Sequence, residues 1–419
     1  MARLLSMTKR PSLLFAVVFG MALAGQPGAA QQGVGIMAIH GTEAGLQDWI
    51  AEFRLRAITQ GVPEVTFDAA MSSRSFRADV LDRDRRQDEF TRTIWDYLDR
   101  AVSDDRIAGG QKALKTYAAL LDRIEARYDV DRQAVVAIWG LESAFGAVRG
   151  DIPTLDALAT LAYDGRRGAY FEGELITVLK LLASGEVRES QLVGSWAGAM
   201  GHTQFMPTSH QAFAQDFDGD GRRNVWDDDP ADALASSAAY LKNFGWKRGE
   251  PWGVEVSLPA GFDHELSGSR TKKPLSFWTA LGVTLPEKAT LPDWGALLLP
   301  AGAQGPAFLV FDNFGAIESY NIADSYVIAV GLLSDRLQGA DPVQHPWPRQ
   351  WTALTLSDRI EMQGRLTAQG FDSGGADGKV GPRTMAAIKA FQRAREMIPD
   401  GYANSDLLSL LRESGSQRR

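Results

Sequence analysis

The 419-residue chain contains no cysteine. Disulfide staples, thiolate metal sites, a cysteine nucleophile and a lipidated cysteine anchor are thereby excluded. Histidine is scarce, with five in all, and neither His202 nor His210 has the paired spacing of a metal ligand. Positive charge is short as well: 44 basic residues face 52 acidic ones, a net −8, with no basic tract. Nucleic-acid binding through phosphate neutralisation therefore has no support. Long apolar runs are absent beyond the N-terminus, which excludes a multi-span membrane protein. What remains is ordinary globular composition, 45% hydrophobic and 23% charged, with material for a real core. The length suggests two to three domains.

The N-terminus reads as an address. Arg3, Lys9 and Arg10 precede an apolar run over residues 13–24, short of the ~20 residues a membrane span needs. Small residues follow, with Ala22-x-Ala24 and Gly28-x-Ala30 as cleavage sites. Residues 1–30 are expected to be a secretory signal peptide, the alternative being an uncleaved anchor. Its removal would leave 41 basic against 52 acidic residues, or −11. A secretory signal without a lipobox cysteine predicts a soluble periplasmic protein with no stable membrane anchor and no lipid.

The first half reads as helix after helix. Phe90, Ile94, Tyr97, Leu98 and Ala101 share a 3.6-period stripe, and Leu114, Tyr117, Leu121 and Ile124 make another. Ser103 and Asp131 are expected N-caps. From Pro251 the pattern changes: Val254, Val256 and Leu258 alternate with polar or small residues, and residues 296–299 and 308–311 flank a turn as in a hairpin. A β-rich insertion over about 251–315 is expected within a helical domain of residues 31–338. A proline-bearing linker, 339–353, leads to a module of three helices over 354–415, with Ser357 and Ser405 as caps and Met385, Ile388 and Phe391 facing inward.

Residues 131–150 carry the strongest chemical signal. Val135, Ile138, Glu142 and Phe145 recur at spacings of three, four and three, one face of a helix, so Glu142 occupies a core position. Desolvation favours its neutral form, which is what a general acid near neutral pH requires. Gly146 is expected to end the helix. The structural alternative is an ion pair with Arg149, Arg166 or Arg167.

A second signal is the loop DFDGDGRRNVWD. It sets Asp216, Asp218, Asp220, Asn224 and Asp227 at positions 1, 3, 5, 9 and 12, with Gly221 at 6 and the Arg222 carbonyl at 7. This is the oxygen-rich spacing of a calcium loop, and three aspartates so close repel unless a cation bridges them. Aspartate at position 12 and arginine at position 8 depart from the pattern, and an Asp/Gly-rich turn without metal is the alternative. No organic cofactor is implied.

Four motifs in order, IWGLESAFG (138–146), LATLAYDGRR (158–167), GSWAGAMGHTQFMPTS (194–209) and DFDGDG (216–221), resemble the lytic murein transglycosylases of the B type. The resemblance covers about residues 35–338. Residues 354–413 are similar to the common peptidoglycan-binding module, through Gln363, Leu366, Gly370, Asp377-Gly378-x-x-Gly381 and Ala387-Ile388-x-x-Phe391-Gln392. The resemblance implies a mainly α chain: a lysozyme-like helical domain with a small β-rich insertion, and a three-helix C-terminal domain.

It also implies cleavage of the β-1,4 bond between N-acetylmuramic acid and N-acetylglucosamine in peptidoglycan. Glu142 would protonate the leaving oxygen, then take the proton of the muramoyl C6 hydroxyl as that hydroxyl closes a 1,6-anhydro ring. Ser195, Gln204, Tyr320 and Asn321 match residues of the family's saccharide groove, and Arg166 and Arg167 match a pair facing the peptide stem or muramoyl carboxylate. Tyr240 is a further candidate, as a surface for a sugar ring. On chemistry alone, Ser195 reads equally as an N-cap and Gln204 as a partner for backbone groups. A muramidase-type hydrolase and a non-catalytic murein-binding scaffold are the competing functions. The C-terminal module, with eight basic and eight acidic residues over 354–413, cannot bind by bulk charge; a groove near residues 377–381 is expected to do so.

Overall fold

The computed structural model describes residues 41–85, 92–287 and 290–416. The signal-peptide expectation and Phe90 lie outside the described residues. In chain order, α1 (Glu43–Thr59), α2 (Glu64–Met71) and α3 (Ala78–Arg85) precede α4 (Ile94–Ala101), α5 (Asp104–Thr116), α6 (Ala118–Tyr128) and α7 (Arg132–Ser143). A short strand β1 (Ile152–Pro153) leads into α8 (Thr154–Asp164) and α9 (Gly168–Ala183). Its antiparallel partner β2 (Val193–Gly194), α10 (Pro207–Phe213) and α11 (Ala231–Asn243) follow. Among the described residues no helix is long and apolar enough to cross a membrane.

Two cores organise these helices. One gathers α1, α2, α3, α8 and α9, with Leu46, Ile50, Phe53 and Ala57 of α1 buried at helical spacing. The other gathers α4 to α7 with α11 and a later helix, α14 (Asp324–Leu337). In α7 every residue from Ala134 to Gly140 is buried, so it is apolar all round, as a central helix must be. Truncating a large side chain in such a place costs about 2–5 kcal/mol. The end of α7 is thus held as a fixed base.

The stripe over residues 114–124 is not one helix. It breaks at Tyr117, which ends α5 and starts α6 while its ring meets Trp139 edge-on at 5.4 Å. Ser103 caps α5 by accepting from the Arg106 N–H. Asp131 makes no such cap: its carboxylate accepts instead from the Trp246 indole at 2.9 Å and the Gly249 N–H at 3.0 Å.

Between α11 and α14 lies a four-stranded antiparallel sheet. Its strands β3 (Gly253–Val256), β4 (Lys273–Pro274), β5 (Trp294–Leu298) and β6 (Ala307–Val310) take the order β3-β6-β5-β4. Helix α12 (Leu275–Ala280) falls between β4 and β5, and α13 (Asp312–Glu318) follows β6. Side chains alternate across a strand. Ala296, Leu298, Phe308 and Val310 enter the main core, whereas Leu297 and Leu309 join Val256, Trp278 and Phe311 in a smaller one. Burial on both faces explains the unbroken apolar runs of β5 and β6.

The sheet is pinned to α14 through Trp252. A Cβ on Gly331 would lie 2.3 Å from the Trp252 ring, so only glycine admits this approach. The Trp252 indole donates to Asp335 at 2.8 Å, and burial pushes the Asp335 carboxyl up to about 6. Its unfolded pKa is about 3.9, so the native state binds the proton more tightly. This group's contribution is therefore most favourable below about pH 4 and is lost as pH rises to about 6. Asp335→Asn keeps the acceptor and removes the charge. Thermal denaturation should show it stabilised by about 2 kcal/mol near neutral pH and unchanged near pH 4. A pH-independent effect would contradict this account.

The C-terminal module comprises α15 (Leu356–Ala368), α16 (Pro382–Ala394) and α17 (Ser405–Ser416) around Met362, Leu366, Ile388, Phe391, Leu407, Leu408 and Leu411. Met385 faces outward, 42% exposed; Thr384 and Ala387 take the inward places. The caps are Thr355, which accepts from the Asp358 N–H, and Asn404, which accepts from the Leu407 N–H, in place of Ser357 and Ser405. Buried Gln363 knits the turn at 377–381: it donates to the Lys379 carbonyl at 2.9 Å and accepts from the Gly378 N–H at 2.7 Å.

The module is docked on the rest of the chain. Arg349 pairs with Asp99 at 2.7 Å, Arg393 with Glu265, and Asp400 accepts from the Ala303 N–H at 2.8 Å. Trp351 stacks on Tyr402 at 5.6 Å, in a cluster with Trp95 and Ala301.

Candidate active site

Helix α7 ends at Ser143, and the next three residues, Ala144, Phe145 and Gly146, all have positive φ (49°, 60° and 85°). Two consecutive non-glycine residues in the left-handed region are strained, and such strain persists only where packing over-determines it. Here the Phe145 ring lies against Gly140, where a Cβ would sit 2.8 Å away, and meets Trp139 edge-on. Ser143 is buried and donates to the His202 carbonyl at 2.6 Å, which leaves it a structural role. Arg106 donates to the Gly140 carbonyl at the same helix end.

This sharp exit presents Glu142 to a cleft of about 190 Å³. Oε1 of Glu142 accepts a 2.5 Å hydrogen bond from Tyr326 Oη of α14. Tyr326 is fully buried, and burial, reinforced by the nearby Glu142 charge, holds its phenol well above the ordinary range, so it remains a donor. Arg149, Arg166 and Arg167 are all committed to other oxygens. Arg149 donates to the Trp226 and Asp227 carbonyls and to Asp228. Arg166 and Arg167 converge on Asp84, at 2.8 and 2.5 Å.

Of the residues expected to bind substrate, Ser195, Gln204, Tyr240, Tyr320 and Asn321 line the cleft with Glu142, and Arg166 and Arg167 do not. Asp84 is buried, and a buried carboxylate demands cationic compensation. Both guanidiniums meet that demand and are not presented to the cleft. No helix follows Ser195 directly; its hydroxyl accepts from the Ala197 and Ala199 N–H groups and closes a turn. Gln204, at φ 51°, donates to the Arg149 and Gly201 carbonyls. Close backbone approach dictates the glycines here: a Cβ on Gly194 would lie 2.0 Å from the Ala199 carbonyl oxygen.

Tyr240 is buried and not an exposed platform. It donates to the Ser319 carbonyl at 2.5 Å, and its ring meets Phe205, Phe213 and Tyr320. Tyr320 donates to the Thr203 carbonyl at 2.8 Å, and Asn321 accepts from the Ala323 N–H. The far wall is thus a packed aromatic block with fixed polar edges.

The acidic loop is tied to the segment that lines the cleft through His202, which meets the Asp227 carbonyl at 2.7 Å. Carboxylate oxygens of Asp216, Asp218 and Asp220 all come within 4.8 Å of one another. Asp227 falls outside that group and accepts from Gln191 at 3.4 Å. One methylene shorter than the usual glutamate, it lacks that residue's reach. The Asn224 side chain accepts from the Trp226 and Asp227 N–H groups, and Arg222 donates its N–H to Asp220.

Three positions that brace the site were not given that role in the sequence reading. Tyr326 lies on the apolar stripe of α14 and reads as core. Asp232 accepts from the backbone of Phe217, Asp218 and Asn224 and so clamps both arms of the acidic loop; its position on α11 is the only available clue. His202 Nδ1 accepts from the Trp139 indole at 3.2 Å, leaving Nε2 to meet the Asp227 carbonyl at 2.7 Å. Burial pushes the His202 pKa down, which keeps it neutral. It bridges α7 to the acidic loop.

Residues 45–335 match the family described as the transglycosylase SLT domain, and residues 355–411 the putative peptidoglycan binding domain. Over 244 residues the chain is 36% identical to the membrane-bound lytic murein transglycosylase B of Escherichia coli, covering 57% of this chain and 65% of that protein. It is 45% identical to SltB3 from Pseudomonas aeruginosa, solved in complex with NAG-anhNAM-pentapeptide. That match has a TM-score of 0.83 and covers 88% of this chain and 99% of that one. The Escherichia coli lytic transglycosylase SLT35, solved in complex with calcium, is 31% identical with a TM-score of 0.61, over 71% of this chain and 93% of that one.

Proposed function

The chain belongs to the transglycosylase SLT domain family, with a C-terminal peptidoglycan-binding domain, and from that membership we propose that it is a lytic transglycosylase of peptidoglycan. The bond cleaved is the β-1,4 link between N-acetylmuramic acid and N-acetylglucosamine, and the product end is 1,6-anhydro-N-acetylmuramic acid. The observation that carries this reading is the lining of the cleft, in which Glu142 is the one carboxylate among the described residues. Most glycoside hydrolases need two carboxyl groups, the second serving as nucleophile or as base for water. With one carboxylate, the substrate must supply its own nucleophile, the muramoyl C6 hydroxyl.

Glu142 first gives its proton to the glycosidic oxygen as C1 becomes oxocarbenium-like. The same carboxylate then takes the proton of the C6 hydroxyl as that oxygen bonds to C1. Tyr326 fixes the carboxyl rotamer throughout. Ser195, Gln204, Tyr320 and Asn321 hold the sugars, with Tyr240 buttressing the wall. Mass spectrometry of digested murein tests the reaction. Anhydro ends are expected; reducing ends in their place would make the protein a muramidase. Binding to sacculi without released product would make it a scaffold.

The proposed setting is the periplasm, reached by a signal peptide over residues 1–30, with a role in cell-wall remodelling. The proposed division of the chain is a catalytic unit over 31–338 bearing the 251–315 insertion, a linker over 339–353 and a binding module over 354–415.

The acidic loop is proposed to hold calcium. The fit rests on Asp216, Asp218 and Asp220, three like charges within 4.8 Å that a hard dication would reconcile. The Arg222 carbonyl, the Asn224 amide and Asp227 would complete the proposed donors. Its contribution would be structural. Added calcium should raise the melting temperature by several degrees at saturating concentration, and Asp218→Ala should abolish the shift. A melting temperature indifferent to calcium and to chelator would remove the ion from this account.

A further inference from the structure

One buried carboxylate takes no part in the chemistry above. Glu174 of α9 is 2% exposed and does not line the cleft. Both its oxygens accept from a single residue of α10: Oε2 from the Thr208 N–H at 2.9 Å and Oε1 from the Thr208 hydroxyl at 2.7 Å. The Tyr170 phenol, one turn earlier on α9, lies beside it. Among the described residues no cation pairs with it. Burial raises its pKa more than the Thr208 bonds lower it. The native state therefore binds this proton more tightly than the unfolded chain does, and the ionised group is a cost to the fold at neutral pH.

The local sequence explains why α10 needs a partner from afar. Its N-cap is Met206, which has no oxygen to offer, and its first residue is Pro207, which has no N–H. The Thr208 N–H is thus the first free amide of the helix, and Glu174 meets it from 34 positions upstream. The neighbours of Thr208 are cleft residues. Gln204, Phe205 and Met206 come before it and Ser209 after it, and all four line the cleft with Glu142. The other end of this strip is fixed separately. Met200 and Phe205 exchange backbone bonds at 2.8 and 3.1 Å, and Gln204 donates to the Arg149 carbonyl. Glu174 holds the end nearer α10.

We propose that Glu174 is a positioning residue for substrate: through Thr208 it sets the 204–209 strip against the sugars, and a buried carboxylate without a counter-ion is kept there because it favours binding over stability. A residue kept for packing alone would not be an ion, since a neutral group of the same shape fills the site without the charge. Glu174 touches no reacting atom, and the chemistry stays with Glu142. This inference rests on the peptidoglycan reading above.

The test sets steady-state cleavage of soluble glycan strands beside thermal denaturation, both in the full chain. Glu174→Gln keeps the shape and removes the charge. KM should rise about 3- to 10-fold with kcat within twofold of the parent, the pattern of binding lost equally from ground and transition states. The melting temperature at neutral pH should be unchanged or higher, and any gain should vanish below about pH 4, where the parent's group is protonated in both states. Thr208→Val deletes the hydroxyl donor; it should raise KM in the same way and add little to Glu174→Gln. Thr208→Ser keeps both donors and should restore the parent KM. A lowered melting temperature with kcat and KM impaired together would make Glu174 a packing residue, and an unchanged KM in Glu174→Gln would overturn the proposal outright. The parent chain separates the two readings. If it releases anhydro ends and Glu174→Gln matches its KM, only this role falls, whereas if it releases none the function beneath falls as well.

Discussion

Glu142→Gln is expected to lower turnover of glycan strands by about 10³-fold while the protein folds as before. A positioned general acid–base group is worth about 10²–10⁴ in rate, and here one residue serves both half-reactions. Glutamine has the same shape and still accepts from Tyr326, so the end of α7 is undisturbed. The loss should fall on kcat with binding largely retained, as expected when a group acts only in the transition state. Release of anhydro-muropeptides followed by chromatography is the measurement. Activity within tenfold of the parent would remove Glu142 from its role, and a collapsed melting temperature would make the result a folding defect.

Tyr326→Phe is the second large effect, at about 10- to 100-fold in kcat. A hydrogen bond to a charged partner is worth about 1.5–3 kcal/mol, and this one, at 2.5 Å, holds the carboxyl from a helix other than its own. Phenylalanine fills the same buried space, so the cost is orientation alone. KM should change little, because Tyr326 does not line the cleft. Equal falls in kcat and stability would indicate a packing role. A kcat within twofold of the parent would mean that Glu142 is oriented by other contacts.

Why one partner of this pair was legible in the sequence and the other was not is a matter of contrast. Glu142 stands out because a carboxylate interrupts an apolar stripe, and a charge at an apolar position needs a reason. Tyr326 interrupts nothing, since a tyrosine on the buried face of α14 looks like packing until its hydroxyl is seen to meet Glu142. The cleft-lining Ser195, Gln204, Tyr320 and Asn321 came from motif resemblance, not from chemistry visible in the residues themselves. Arg166 and Arg167 show the limit of that route. Their motif matches, yet Asp84, some eighty positions upstream, claims both guanidiniums. Long-range pairing of that kind leaves no trace in local spacing. Tyr117 makes the same point for the fold: helical periodicity runs through it unbroken, and the chain turns there because Trp139 offers its ring an edge. The two-sided burial of β5 and β6 was legible only as hydrophobicity, since a strand's neighbours on either face are set by tertiary contacts.

The sheet has a consequence for anyone who would shorten this chain. Although its strands interrupt a helical domain and look like an appended lobe, Ala296, Leu298, Phe308 and Val310 are bricks in the main core, and Trp252 fills the notch left at Gly331. Excising the segment would strip α14 of its cover and, with it, the helix that aims Tyr326 at Glu142. A minimal version of the protein therefore has its natural cut after α14, where the chain leaves the core for the linker, and has none inside the apparent insert.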